Sequence, residues 1–232
     1  MSAFILIAIT GIGLGALYFL VASGLSLIYG LMGVLNFAHG AFLAVGAFVG
    51  YWMAHNFGAS INTSKFLFSM LVGGLGAGFF ALLMEQLLIS KIYERHIDQA
   101  LVTVGVSLVV GAVLGGWFGN DLVLYPTPPY FLNGVNVFGA IIPADRFFYI
   151  GTAVLLLVAN WALLKYTRIG LIIRAGVENR NMVAALGINV RRAFSTVFFL
   201  GGFAAGVGGV LISVYANGVS PLIAGQYLIY GF

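Results

Sequence analysis

Charge is what this chain lacks most. No Lys, Arg, Asp or Glu precedes Lys65, and only 7% of the 232 residues are charged, against about 25% in an ordinary soluble domain. A charge at the bilayer centre costs about 2.5–3.5 kcal/mol on insertion scales, so charge-free stretches this long mark segments that live in lipid. With 62% hydrophobic residues and a mean hydropathy of +1.09, a water-soluble fold is excluded. Cysteine is absent, which removes disulfides, thiolate metal ligands and a cysteine nucleophile. His39, His55 and His96 are scattered, which argues against a metal centre. No Gly-x-x-x-x-Gly-Lys-Ser/Thr occurs, so this chain has no P-loop for ATP. Ser23-Gly24 lacks the Gly-x-Ser-Gly setting of an intramembrane serine protease, and no paired acids or histidine-rich cluster falls within a span. Both absences speak against a membrane-embedded enzyme.

What is present is a series of apolar windows. Charge-free runs of 19 residues follow Lys65, 22 follow Asp98, 18 follow Arg146 and 40 follow Arg192. One crossing takes about 20 mostly apolar residues at 1.5 Å rise each, so each window holds one span and the last also begins another. Met1 to Leu6 has no basic n-region, so the first apolar run reads as a retained span rather than a signal peptide. The opening 64 residues read as two spans, Phe4 to Tyr29 and Ala41 to Ala54. The expected fold class is all-α: a polytopic transmembrane helix bundle with about six to seven spans, forming a single transmembrane domain over residues 1–232.

Between the first two spans lies Gly30-Leu-Met-Gly33-Val-Leu-Asn36-Phe-Ala-His39-Gly40. Backbone that leaves the helix at membrane depth is tolerated only where protein buries it or it lines a wet cavity. Gly33, Asn36, His39 and Gly40 are therefore candidates for a solute path. The other reading is that Asn36 and His39 hydrogen-bond neighbouring helices and hold the break in place.

The ten Lys and Arg residues are unevenly distributed. Alternating the spans puts Lys91, Arg95, Lys165, Arg168, Arg174, Arg180, Arg191 and Arg192 on one side, and Lys65 and Arg146 on the other. The net charge of +4 thus speaks of orientation in a lipid bilayer rather than of nucleic acid. The positive-inside rule makes the basic loop cytoplasmic and the N-terminus external. The external loop from Asp121 to Arg146 carries Pro126, Pro128, Pro129, Pro143 and Asn133-Gly134, turn formers that predict an ordered cap or short hairpin. Phe147, Phe148 and Tyr149 are expected at the interface, where aromatic rings settle. Gly46/Gly50, Gly74/Gly78, Gly111/Gly115/Gly119 and Gly202/Gly206 are spaced for close helix contact within the bundle. Glu85, near Lys91 and Glu94, reads as a solvated boundary charge rather than a proton relay.

In the basic loop, Glu178 and Asn179 are expected to open a two-turn amphipathic helix with Met182, Val183 and Leu186 on one face and Gly187 as its stop. Such a helix between two spans is either a handle for a partner protein or an interfacial helix on anionic headgroups. The run Arg174-Ala-Gly-Val-Glu-Asn-Arg180, followed by Ala184-Ala-Leu-Gly-Ile-Asn189, resembles the ATPase-coupling loop of permease subunits in branched-chain amino-acid ABC importers. Asn36-Phe-Ala-His-Gly40 is similar to that family's N-terminal signature. Thr103-Val-Gly-Val-Ser107, Pro143 to Phe148 and Gly201 to Leu211 also match, in the expected order. Two departures are Ala41, where the family often has an acid, and Ser90 to His96, which lacks a Tyr-Arg-Pro run.

The resemblance implies a transport subunit, not an enzyme, in a multi-pass inner-membrane complex. Its partners would be cytoplasmic ATPase subunits, a second permease subunit and a periplasmic or external solute-binding protein. ATP would be bound by the partner and no cofactor by this chain. Residues 166–192 would form the coupling loop, with Arg174, Ala175, Glu178, Asn179, Met182, Ala185, Leu186 and Gly187 meeting the ATPase. The family continues with further spans beyond the position of Phe232, which implies either a C-terminally truncated copy or a piece of a longer chain. A urea or short-amide permease of the same fold, and a secondary transporter or channel that works without an ATPase, are the competing readings.

Overall fold

Helices dominate because the apolar windows leave backbone polar groups no partner in lipid except one another. The computed structural model describes residues 2–58, 61–93, 95–178, 180–187 and 189–231. In chain order the helices are α1 (Ser2–Met32), α2 (His39–Asn56), α3 (Thr63–Leu87), α4 (His96–Phe118), α5 (Ala144–Tyr166), α6 (Arg168–Glu178), α7 (Arg180–Ala185), α8 (Val190–Tyr215) and α9 (Ile223–Gly231). Five of them, α1, α3, α4, α5 and α8, are long and apolar enough to cross a membrane. The 18-residue α2 is a sixth long helix, with eleven of its residues buried inside the bundle. The chain is a helical, multi-pass membrane protein.

The core is built around α8, whose most apolar stretch is 83% buried, against 11% for α4 and 17% for α5. Small residues make this possible. A methyl group on Gly24 of α1 would lie 2.3 Å from the carbonyl oxygen of Gly201 on α8, and one on Gly46 of α2 would lie 2.2 Å from the Cα of Gly206. The Gly74/Gly78 and Gly202/Gly206 pairs likewise face each other between α3 and α8. The stripe on α4 behaves differently: Gly111 meets nothing within 4 Å and Gly119 is the helix C-cap at φ 83°. It makes no helix crossing.

The loop between α4 and α5 forms the expected hairpin, β1 (Gly134–Val137) paired antiparallel with β2 (Ala140–Pro143). Of the three aromatics after it, Phe147 is exposed, Phe148 is half-buried and Tyr149 is fully buried. Tyr149 turns inward because its hydroxyl donates to Asp145 Oδ2 at 3.1 Å and its ring lies beside the Arg146 guanidinium. The hairpin and the α6–α7 pair sit at opposite ends of α5, by connectivity. At the α6–α7 end, Arg191 donates to Ser90 Oγ at 2.8 Å, which joins the start of α8 to the α3–α4 connection and gathers the basic residues of both.

Glu85 is not a solvated boundary charge but fully buried. It accepts hydrogen bonds from Tyr93 Oη and from Ser195 Oγ. Glu94 lies outside the described residues.

Candidate functional site

α1 ends where Gly33 takes φ +65° and its N–H closes the last turn on the Tyr29 carbonyl at 2.8 Å. Glycine accepts that left-handed conformation without a Cβ penalty. The irregular stretch is shorter than the expected Gly30 to Gly40: helix resumes at His39, so only residues 33–38 are non-helical. These six residues do not simply connect two helix ends. His39 Nε2 donates to the carbonyl of Val21 at 2.8 Å, and Val21 lies eleven residues before the end of α1, about 16 Å along the axis at 1.5 Å per residue. The chain therefore turns back alongside α1, and α2 begins deep within the bundle.

Two further bonds hold this returning segment. Asn36 Oδ1 accepts from Ala38 N–H at 3.1 Å. Phe37 N–H donates to Thr103 Oγ1 of α4 at 3.1 Å. The Thr103 hydroxyl in turn donates to the Gln99 carbonyl at 2.8 Å. Asn36 and His39 are both fully buried, and Asn36 Nδ2 and His39 Nδ1 have no partner among the described residues. Buried polar atoms of this kind are rare and call for a specific reason.

Beside the break lies a cavity of about 320 Å³ lined by Leu25, Ser26 and Tyr29 of α1, Val34, Leu35 and Asn36 of the break, and Gly231 of α9. That volume is within the range of small-molecule sites, about 300–1,000 Å³. The wall holds no charged side chain. Its polar residues are Ser26, Tyr29 and Asn36, and residues 34–36 lie outside the helices, with the Asn36 carbonyl accepting from His39 N–H at 3.2 Å. Of the residues singled out from sequence, Asn36 belongs to the wall with its side chain buried. Gly33 is exposed at the end of α1, while His39 and Gly40 lie behind the wall and begin α2. Ser26, Tyr29 and Thr103 were missed. The signal for the first two was their i, i+3 spacing on the last turns of α1, immediately before the break.

The second candidate region is an elbow of two helices rather than one two-turn helix. Glu178 closes α6 instead of opening a helix, because the apolar spacing of Gly170, Ile173 and Gly176 carries a buried face from Arg168 onward. The Thr167 hydroxyl caps α6 by accepting from Gly170 N–H at 3.0 Å. Asn179 lies outside the described residues. On α7 and the turn after it, Met182 and Leu186 are exposed while Val183 is buried against Phe194 of α8. The expected shared face is thus split, since Val183 docks α7 onto the bundle. Gly187 does supply the stop, at φ +77°. Arg174, Ala175, Glu178, Met182, Ala185, Leu186 and Gly187 are all at the surface.

A membrane helix bundle interrupted between α1 and α2, with a small uncharged cavity beside the interruption and a surface elbow between two long helices, suits a membrane permease. The chain belongs to the family described as the branched-chain amino acid transport system / permease component, whose model matches residues 7–232. It is 28% identical over 225 residues to the high-affinity branched-chain amino acid transport system permease protein LivH of Salmonella typhimurium, covering 92% of this chain and 71% of that protein. It is 28% identical over 196 residues to a probable LivH permease of Methanocaldococcus jannaschii, covering 83% of this chain and 61% of that one. With the BraD permease of Pseudomonas aeruginosa it shares 23% over 227 residues, covering 92% and 72%. No solved structure matches it.

Proposed function

We propose that residues 1–232 are a transmembrane permease domain of an ABC importer that moves branched-chain or similar small neutral amino acids across the inner membrane. Cytoplasmic ATPase subunits bind ATP and dock on the 166–192 loop. A second permease subunit completes the pathway, and an external solute-binding protein delivers the solute. The basic α6–α7 end faces the cytoplasm, as the positive-inside rule requires.

The observation that carries this reading is the cavity at the α1–α2 break. A zwitterion needs polar groups for its two charged ends, and in this reading Ser26, Tyr29 and the non-helical residues 34–36 of the wall supply them. An aliphatic side chain needs apolar surface, which Leu25, Val34 and Leu35 provide. Urea or a short amide would leave that apolar surface against water, which favours the amino acid over the amide. The absence of a fixed charge suits a carrier, because a strong counter-ion in the wall would hold the solute rather than release it.

In this mechanism the exposed elbow around Met182 and Leu186 seats in the ATPase. Closure of the ATPase pair on ATP moves the bundle as rigid helices, with the break at Gly33 taking up the change in backbone angle. The test is ATP-driven uptake in vesicles holding the permease pair, its ATPases and the binding protein, with leucine, urea and acetamide as solutes. Leucine uptake without urea uptake is expected. Urea uptake without leucine uptake would transfer the assignment to the amide permeases, and uptake without any ATPase would make the protein a secondary transporter.

A further inference from the structure

Glu85 is a carboxylate fully buried near the end of α3. Among the described residues no cation pairs with it. One carboxylate oxygen is taken by the Tyr93 hydroxyl, from the α3–α4 connection, and the other by the Ser195 hydroxyl of α8 at 2.5 Å. Burying a charge without an ionic partner is costly, and an apolar side chain of similar size would pack there at lower cost. What two hydroxyl donors on one carboxylate provide instead is a directional lock with one register between α3 and α8.

The surroundings show what such a lock holds. Val183 of α7 packs against Phe194, the residue before Ser195, and this buried pair touches Met32 and Tyr93. The Tyr93 ring meets Phe194 edge-on, with centroids 5.7 Å apart. Met32 is the last residue of α1, directly before the left-handed Gly33 at the break. One small cluster therefore connects the elbow to the α3–α8 pair and to the end of α1, two residues before the cavity-lining segment.

We infer that Glu85 is a positioning residue of the transport cycle: with Tyr93 and Ser195 it locks the start of α8 to the end of α3, so that displacement of α7 through Val183 and Phe194 reaches Met32 and the helix break. The inference rests on the importer reading above and adds a transmission role to it.

The experiment compares wild type with Glu85→Ala, Glu85→Gln and Ser195→Ala in the complete vesicle system. It measures ATPase co-purification, ATP hydrolysis and leucine uptake per ATP. Glu85→Ala is expected to keep assembly and hydrolysis within about twofold while uptake per ATP falls about tenfold, the scale of a lost coupling contact. Ser195→Ala should fall less. Glu85→Gln, whose amide carbonyl still accepts from a hydroxyl, should recover a large part of the loss. Unchanged uptake per ATP in Glu85→Ala and Ser195→Ala would overturn the inference. So would a parallel loss of assembly, hydrolysis and uptake in all three variants, which would make the cluster structural only. If Glu85→Ala does not accumulate, Glu85→Gln and Ser195→Ala decide between these outcomes. Failure of the wild type itself to retain ATPase or to drive uptake would instead strike the importer reading, and the inference with it.

Discussion

His39 at the start of α2 donates from Nε2 to the carbonyl of Val21 on α1, at 2.8 Å. That bond draws the beginning of one helix level with a point eleven residues before the end of another. It requires the tautomer with the proton on Nε2, which leaves Nδ1 as the unpartnered acceptor. The two readings of His39, path lining or structural tie, thus separate. The ring is not part of the cavity lining, and in the proposed importer it acts on the solute path by holding the break.

His39→Ala should therefore reduce leucine uptake by displacing the segment that lines the cavity. It should also lower stability by about 1–3 kcal/mol, the cost of leaving a buried partner unsatisfied. Thermal unfolding in detergent and vesicle uptake measure the two effects. His39→Gln keeps an N–H donor and should lose less of both; equal loss in the two variants would dismiss the hydrogen bond as the cause.

The glycine crossings predict opposite effects for one substitution at two places. Gly46→Ala puts a methyl 2.2 Å from the Cα of Gly206 and should destabilise by about 1–3 kcal/mol, as overpacking does. Gly111→Ala on α4 meets nothing within 4 Å and should be neutral or stabilise by about 0.5–1 kcal/mol through helix propensity. Melting temperatures of the purified variants are the measure, and equal shifts would contradict the packing described for α2 and α8.

Orientation is testable because the chain has no native cysteine. Asn133, before the hairpin, and Ala175, on α6, are both exposed. Asn133→Cys should react with an impermeant maleimide in intact cells, and Ala175→Cys only after permeabilisation. The reverse pattern would invert the assigned topology.

Gly187 ends the elbow with φ +77°, a conformation in which a β-branched residue is strained by about 1–2 kcal/mol. Gly187→Val should weaken ATPase association or transport at unchanged permease abundance in the membrane. Undiminished uptake would remove this turn from the coupling surface. Gly187→Asn, which tolerates left-handed backbone better, should be milder.

The sequence alone determined that this is a bundle of membrane helices, where most of them begin and end, and which end carries the basic charge. Those features follow from local quantities: the length of a charge-free window, a proline cluster, and a glycine such as Gly187 at a helix stop. Asn36 and His39 could be singled out because a polar side chain in an apolar run is visible without a fold. The loop proposed for ATPase coupling is legible through its resemblance and its place between two windows.

Tertiary structure decided which side chains face which neighbour. Glu85 reads as a boundary charge because it is near Lys91 in sequence, and it is buried because Ser195, 110 residues later, comes to meet it. Val183 leaves the face of Met182 and Leu186 because Phe194 provides a buried place for it. The stripe on α4 carries the same glycine spacing as those on α2 and α8, yet only the latter two meet a partner helix. Periodicity states which residues share a face of a helix. Only the arrangement of the other helices states whether that face meets protein, cavity or lipid, since all three accept the same small and apolar residues.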